Sequence, residues 1–495
     1  MVEAVATGRE EFLRAGFPIA RRLFAAALGL IFFCAFTSLG VQVRGLFGAR
    51  GIVPAADFLD AVHQQFGDAA WTQVPSLCWL NAGDGFLVAL CIVGAVLSLV
   101  LAAGFAPGAC ALLCWALYLS FCAVGSPFLN FQWDALLLET AFLAVFHLPW
   151  SLRPDWRRES QVSRVARWLL WWLLFRLMFE SGVVKLSSGD TTWRDLSALD
   201  FHFETQPLPI WTAWLAQQLP PWMLRATTAI MFLIEFVAPC LIVAPRRLRH
   251  AGAMALIALQ AVIALTGNYA FFNALTVALC ILLFDDAAWP ARLRARFAPP
   301  SVSPAEKSWP LWLFAPVATV IVLVTMMPLI GSFRTGWRWP EPFAGLQRTL
   351  APLMSFNGYG LFAVMTTSRP EIVVEGSMDG VHWQSYGFRW KPGDPRNRPR
   401  LVAPHQPRLD WQMWFAALGD VRQNPWFVNF LVRLLEGSPD VVALLEWNPF
   451  PRQPPRYVRA VLYDYHFTRW GDPAWWKREE KGLYCPPISL RANER

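Results

Sequence analysis

The segment Gly85-Phe-Leu-Val-Ala-Leu-Cys-Ile-Val-Gly-Ala-Val-Leu-Ser-Leu-Val-Leu-Ala-Ala103 is apolar throughout and contains no charged residue. A helix of about 20 apolar residues spans the hydrocarbon core of a bilayer. Segments of this kind recur along the first two thirds of the chain. We interpret nine of them as membrane spans: residues 23–43, 85–103, 108–125, 131–149, 167–184, 226–244, 249–267, 269–285 and 311–330.

The charged residues are distributed unevenly along the chain. Of its 495 residues, 55% are hydrophobic and 16% charged, whereas about 25% are charged in an ordinary globular domain. Residues 1–330 contain 22 Lys and Arg and 20 Asp and Glu. Residues 331–495 are half as long a stretch but contain 21 Lys and Arg and 15 Asp and Glu. This excludes a protein soluble throughout, a disordered chain and a fibrous one. It predicts a multi-pass α-helical membrane domain over residues 1–330 and a soluble domain over residues 331–495.

The positions of Lys and Arg predict the orientation, because cytoplasmic loops are enriched in both. With a cytoplasmic N-terminus, five of these residues fall in outer loops and sixteen at inner ends of the spans: Arg9, Arg14, Arg21, Arg22, Arg153, Arg157, Arg158, Arg164, Arg167, Arg246, Arg247, Arg249, Arg292, Arg294, Arg296 and Lys307. Nine spans then put residues 331–495 on the non-cytoplasmic side. The net charge of +8 therefore reflects topology, and we expect the lipid bilayer, not nucleic acid, as partner.

A few ionisable residues lie within the predicted spans. Each costs at least about 2.5–3.5 kcal/mol at the middle of a bilayer, so it needs a partner or a function. One interpretation is a buried polar network that orients the helices. The other is a cavity that holds a polar headgroup, a quinone-like molecule or part of a client chain. Both remain open for the intramembrane set, which comprises Asp134, Glu139, Arg176, Glu180, Lys185 and Glu235.

The outer loop after the fifth span is polar, acidic and aromatic at once. Its notable residues are Asp190, Trp193, Asp195, Asp200, His202 and Glu204. The last three alternate, which would put them on one side of an extended segment. We expect an ordered cap over the helix ends, with no metal and no cofactor. Cys78 and Cys485 lie outside the spans on the predicted oxidising side; they form either a disulfide or two unrelated free thiols.

The C-terminal region has strand-like periodicity, which predicts an α+β domain with a small β-sheet and short helices. Residues 371–375 and 381–390 flank Asp379-Gly380 and are typical of a hairpin. Residues 457–467 form another candidate strand. Asn424-Pro425 and Ser438-Pro439 predict the starts of two capped helices over 426–435 and 441–446. The pair Trp475-Trp476, beside Lys477-Arg478, is a candidate for contact with the bilayer interface.

Several ordered motifs, together running from about residue 20 to 470, carry a family resemblance. They are Asn130-Phe-Gln-Trp-Asp-Ala-Leu-Leu-Leu-Glu139, Phe175-Arg-Leu-Met-Phe-Glu-Ser-Gly-Val-Val-Lys185, Trp193-Arg-Asp-Leu196, Asp200-Phe-His-Phe-Glu-Thr-Gln-Pro-Leu-Pro209, Gly267-Asn-Tyr-Ala-Phe-Phe-Asn273 and Asn424-Pro-Trp426. With them the chain resembles the lipase maturation factor family. The resemblance implies a chaperone-like membrane protein that assists an exported client such as a secreted lipase. In animals, members sit in the endoplasmic reticulum membrane.

The composition, rich in Ala, Arg and Trp, and the lack of N-glycosylation sequons are typical of a bacterial member. The expected location is then the bacterial inner membrane, with a periplasmic C-terminal domain. Two alternatives stay open. Gly182-Val-Val-Lys185 followed by Trp193 is similar to one helix and loop of vitamin K-dependent γ-carboxylase, which implies an enzyme with Lys185 as base. The second is a small-molecule or lipid transporter.

Overall fold

The computed structural model describes residues 16–297, 309–334 and 336–490. Arg9, Arg14 and Lys307 of the predicted inner-side set lie outside these residues. The α-helices are α1 (Pro18–Gly40), α2 (Val43–Phe47), α3 (Ala55–Phe66), α4 (Ala70–Gln73), α5 (Asp84–Ala103), α6 (Pro107–Val124), α7 (Gln132–His147), α8 (Gln161–Ser187), α9 (Thr191–Arg194), α10 (Leu199–Thr205), α11 (Trp211–Gln217), α12 (Pro221–Cys240), α13 (Arg246–Thr266), α14 (Phe272–Ile281), α15 (Ala291–Arg296), α16 (Leu311–Phe333), α17 (Glu341–Leu350), α18 (Arg408–Ala417), α19 (Pro425–Leu435) and α20 (Pro439–Val442). The strands are β1 (Pro370–Ser377), β2 (Gln384–Ser385), β3 (Tyr457–Phe467) and β4 (Trp476–Ile488).

Each of the nine predicted spans coincides with one helix, and the N-terminal region is a helical membrane domain. Six helices within the described residues are long and apolar enough to cross a bilayer: α1, α5, α6, α12, α13 and α16. The other three differ for physical reasons. Helix α7 has 16 residues and α14 has 10, both shorter than the bilayer requires, and α8 carries several charges. The structure thus supports six spans by length and composition, not nine.

Helix α8 is the centre of the bundle. It packs against α7, α12, α14 and α16, and most of its side chains are buried, including Arg176, Glu180 and Lys185. A helix with these charges is costly against lipid. Enclosure by other helices removes that cost, because partners on those helices can satisfy the charges.

The two ends of the bundle differ in character. At one end, Arg22 donates to the Ala102 carbonyl at 2.9 Å, and Arg246 and Arg249 pair with Asp285 at 2.8 and 3.2 Å. At the opposite end, Ser38 near the end of α1 accepts a hydrogen bond from the Gln406 backbone N–H at 2.9 Å. The C-terminal domain therefore lies against the helix ends opposite the arginine-rich ones.

The C-terminal domain contains a four-stranded antiparallel sheet in the order β2-β1-β3-β4. The hairpin prediction is confirmed by the β1–β2 pairing, and the predicted strand over 457–467 is β3. Strand β4 was not predicted. It contains Trp476, which is buried and stacks on Phe467 with 4.3 Å between ring centroids. The bilayer-interface prediction is therefore wrong for Trp476, since its ring belongs to the core of the sheet.

The two predicted helix starts are confirmed at Pro425 and Pro439, but the predicted caps are wrong. Asn424 donates instead to the Asp420 carbonyl and to the Tyr484 hydroxyl. Ser438 donates to the Arg50 carbonyl at 2.8 Å. Helix α20 ends at Val442, before the expected residue 446. The side chains of Asn424 and Ser438 therefore form hydrogen bonds to other parts of the structure and not to the first turn of the helix that follows each of them.

Residues 355–362 form an irregular segment that inserts among the ends of α7, α8 and α16. Ser355 and Tyr359 are buried, and the Gly360 backbone N–H donates to Gln132 Oε1 at 3.2 Å. A Cβ at Gly360 would lie 2.8 Å from a methyl group of Val184 in α8. The close approach of this backbone to α8 therefore requires glycine.

We expect Gly360→Ala to destabilise the protein by about 1–3 kcal/mol, the usual cost of overpacking. The short, branched side chain of Val184 cannot move aside as a flexible one would. The midpoint of thermal unfolding of the purified protein in detergent measures the effect. Gly393→Ala is the control, because a Cβ there meets nothing within 4 Å. Equal midpoints for the two variants would contradict the prediction.

Candidate functional site

The intramembrane residues form three separate groups, the first of which surrounds Tyr359. Arg176 and Glu139 form an ion pair that is fully buried on both sides. Glu139 also accepts from the Tyr359 hydroxyl at 2.8 Å, and Glu180 accepts from the Tyr359 backbone N–H at 3.0 Å. Arg176 and Glu180 are four residues apart and share a face of α8, but the ion-pair partner of Arg176 is Glu139, on α7. This group ties α7 and α8 to the inserted segment.

The second group joins the membrane domain to the C-terminal domain. Asp134, at the start of α7, accepts from Nη1 and Nη2 of Arg408 at 2.6 and 2.8 Å. Its Oδ1 also accepts from the Tyr118 hydroxyl at 2.6 Å. Arg408 donates in addition to the Phe128 carbonyl at 3.1 Å. Two parallel N–H···O bonds to one carboxylate are the strongest geometry for such a pair, and both side chains are almost completely buried.

The third group lies beside a cavity. Lys185 donates to Glu235 Oε1 and Oε2 at 2.7 and 3.0 Å, and its Nζ lies 5.5 Å from the centroid of the Trp193 ring. The ion-pair partner of Lys185 is Glu235, on α12, and not Glu180 of its own helix or Asp190 of the following loop. The adjoining cavity has a volume of about 130 Å³ and mainly apolar walls from α8, α12, α13 and α14.

The outer loop forms the cap that the sequence predicts, but its local structure differs from the prediction. Asp200, His202 and Glu204 lie on helix α10, not on an extended strand, so they do not share one side. Asp190 accepts from the Met365 backbone N–H at 2.6 Å, and the Trp193 indole donates to the Phe362 carbonyl at 2.9 Å.

Three more of the predicted loop residues have different partners. Asp195 accepts from the Ser197 backbone N–H at 3.0 Å, which is a local turn contact. Glu204 accepts from the Phe467 backbone N–H at 2.7 Å. His202 Nε2 lies 3.1 Å from the Tyr269 hydroxyl. Burial, together with the charge of Lys185, lowers the pKa of His202 to about 4, so the imidazole is neutral at physiological pH.

The remaining sequence expectations concern metals and cysteines. Among the described residues, no group of three or more His, Cys, Asp and Glu side chains is arranged to hold a metal ion. Cys78 and Cys485 are both buried free thiols, so the hypothesised disulfide is absent. Cys485 faces Ala460 across the β3–β4 pairing, and Cys78 lies in a short turn at residues 77–79; each is buried within its own element.

Sequence reasoning missed the partners that the C-terminal domain supplies. Arg408 is one, and Arg369 is another: it donates to the carbonyls of Glu204, Gln206 and Pro207 in the outer loop. Both look like ordinary charged residues of a soluble domain. The intramembrane set contains four carboxylates but only two cations, Arg176 and Lys185. This surplus was the one signal in the sequence that a cation from another part of the chain pairs with a carboxylate of the set.

We expect Arg408→Ala to cost about 3–5 kcal/mol, because it leaves Asp134 buried without a counterion. The double variant Arg408→Met with Asp134→Leu should recover most of this loss, since it removes both charges. Chemical denaturation of the purified protein in detergent gives the free energies of unfolding. Arg400→Ala is the control: its pair with Glu446 is about half exposed, and such pairs contribute less than about 1 kcal/mol. Similar losses for Arg408→Ala and Arg400→Ala would rule out the anchoring role.

Comparison with known proteins covers both domains. Residues 19–291 match the sequence model of the lipase maturation factor transmembrane domain, and residues 355–486 match that of the lipase maturation factor C-terminal domain. Lipase maturation factor 2 of Homo sapiens is 35% identical over 96% of this chain and 83% of its own length. Lipase maturation factor 2 of Gallus gallus is 35% identical over 95% of this chain and 81% of its own length. Lipase maturation factor 1 of Bos taurus is 34% identical over 97% of this chain and 91% of its own length. No solved structure matches the chain.

Proposed function

The chain belongs to the lipase maturation factor family, and on that premise we propose that it assists the folding or assembly of an exported lipase. The proposal rests on one observation above all. The C-terminal domain is anchored to one end of the membrane bundle through buried pairs such as Arg408–Asp134, so it presents a fixed surface beside the membrane.

We further propose that the protein lies in a bacterial inner membrane with a cytoplasmic N-terminus and a periplasmic C-terminal domain. The Lys and Arg bias supports this orientation. So does the position of the C-terminal domain, at the helix ends opposite Arg22, Arg246 and Arg249. An exported client would meet that domain after crossing the membrane.

A cleft of about 670 Å³ on the C-terminal domain is the proposed client surface. Its lining includes Trp447, which is 64% exposed, and the exposed side chains of Arg389, Arg398, Arg400 and Arg478. Tryptophan and arginine are enriched among the residues that dominate binding energy at interfaces. An acidic segment of the client that carries apolar side chains would complement this surface.

The maturation role can be tested in a strain that lacks the gene. We expect the specific activity of its secreted lipases to fall and the wild-type gene to restore it. Trp447→Ala combined with Arg398→Glu should lower restoration by about 30-fold, since loss of a dominant interface residue costs about 2 kcal/mol. Trp470→Ala is the control, because this tryptophan is 75% exposed but lies outside the cleft. Unchanged lipase activity in the deletion strain would refute the proposal.

A second comparison separates maturation from catalysis by Lys185. The double variant Lys185→Met with Glu235→Met removes a buried ion pair without leaving a lone charge, which is often nearly neutral for stability. A maturation factor should retain most of its activity, whereas an enzyme with Lys185 as base should lose it at a normal protein level. The relatives reported above are lipase maturation factors, and Lys185 Nζ donates to both carboxylate oxygens of Glu235, so the amine is already engaged in an ion pair. Both points favour maturation over the enzyme, and the names of the relatives give no support to a transporter.

A further inference from the structure

The cavity beside Lys185 has the composition of a binding site. Its walls are mainly apolar, and the polar side chains that line it include the Lys185–Glu235 pair, His202 and Gln260. Ligand sites combine apolar walls with a small number of well-placed polar groups. The volume of about 130 Å³ is close to that of a cavity of about 150 Å³ that binds benzene, so the site accommodates a group of about six carbon atoms.

The cavity opens sideways, between α12 and α13. Thr227 on α12 and Val262 on α13 line it and are also exposed. Around this opening the exposed side chains are apolar, among them Ile230, Leu233 and Leu265. Both helices are long and apolar enough to cross a bilayer, so this face meets hydrocarbon. A ligand therefore enters from the bilayer and leaves its chain outside, along the lipid-facing groove.

The polar groups determine which headgroup fits. Lys185 and Glu235 neutralise each other, and His202 is uncharged, so the three together carry no net charge. Within the described residues Glu235 is the only hydrogen-bond partner of Lys185 Nζ, and it takes two of three N–H donors. One donor remains for an acceptor on the ligand. A carboxylate or phosphate would add an uncompensated charge at low dielectric, which is costly.

We propose that this cavity binds the head of a neutral single-chain amphiphile, a long hydrocarbon chain that ends in a hydroxyl or carbonyl group. The chain lies between α12 and α13 in the bilayer, and the oxygen accepts a hydrogen bond from Lys185. This ligand site is separate from the client cleft on the C-terminal domain. It does not depend on the maturation role, since binding is measured on the purified protein.

The test uses the full-length protein in phospholipid nanodiscs and two photoactivatable probes. One is a C16 alcohol with a diazirine near its hydroxyl, and the other is the corresponding C16 fatty acid at pH 8. Mass spectrometry locates and quantifies the labelled residues. We expect labels from the alcohol on cavity-lining residues of α12 and α13, and labelling by the acid at least about tenfold weaker, equivalent to 1.4 kcal/mol.

Two variants test the entry route. Thr227→Trp fills the opening and should lower labelling by the alcohol about tenfold. Ile92→Trp is the control, because Ile92 is 59% exposed on α5 and α5 does not line the cavity, so labelling should be unchanged. Val262→Trp fills the opening from the other helix, so it replaces Thr227→Trp if that variant does not fold. The proposal is overturned if the acid labels as well as the alcohol, if neither filling variant lowers labelling, or if labels spread over the lipid-facing surface.

Discussion

The buried pair between Asp134 and Arg408 is the contact on which the relation between the two domains depends. A carboxylate at the start of α7 is covered by protein, and an unpaired charge there would cost several kcal/mol. The counterion comes from the first residue of α18, in the C-terminal domain. Its guanidinium also reaches Tyr118 and the Phe128 carbonyl, so one side chain joins α6, α7 and the domain above them. The membrane domain therefore reaches its electrostatically satisfied state only when the C-terminal domain is seated.

The cost of a buried charge without a partner also explains how the helices of the membrane domain are arranged. Arg176 and Lys185 both lie on α8, and their partners Glu139 and Glu235 lie on α7 and α12. A helix that carries cations along its apolar length cannot face lipid without cost, so α8 stands in the centre with its partners around it. The helices that remain at the periphery can then be almost free of charge: α16 has no charged residue, and α5 has only Asp84, at its first position. This division explains why α8 differs from an ordinary span: its surroundings are protein.

Local patterns predicted the elements, and long-range pairing decided the site. The strand over 457–467 and the helix start at Pro425 follow from periodicity and proline, which act over a few residues. Arg408 is separated from Asp134 by 274 positions, and no local rule connects the two. Where local rules were applied to side chains they were often overridden: Asn424 and Ser438 bond to distant elements, and Trp476 enters the sheet. The six intramembrane residues could be found because charges in apolar segments are rare, but their grouping could not.

The outer loop contacts both the C-terminal domain and the cavity beside Lys185. On helix α10, Glu204 accepts a hydrogen bond from the backbone of β3. Arg369 of the C-terminal domain donates to the backbone carbonyls of Glu204, Gln206 and Pro207. The same loop supplies Trp193 and His202 to the cavity beside Lys185. The outer loop thus contacts the C-terminal sheet and also forms one wall of the cavity. Because one short segment makes both contacts, a ligand in the cavity would touch the same loop that positions the C-terminal domain, with no other element between them.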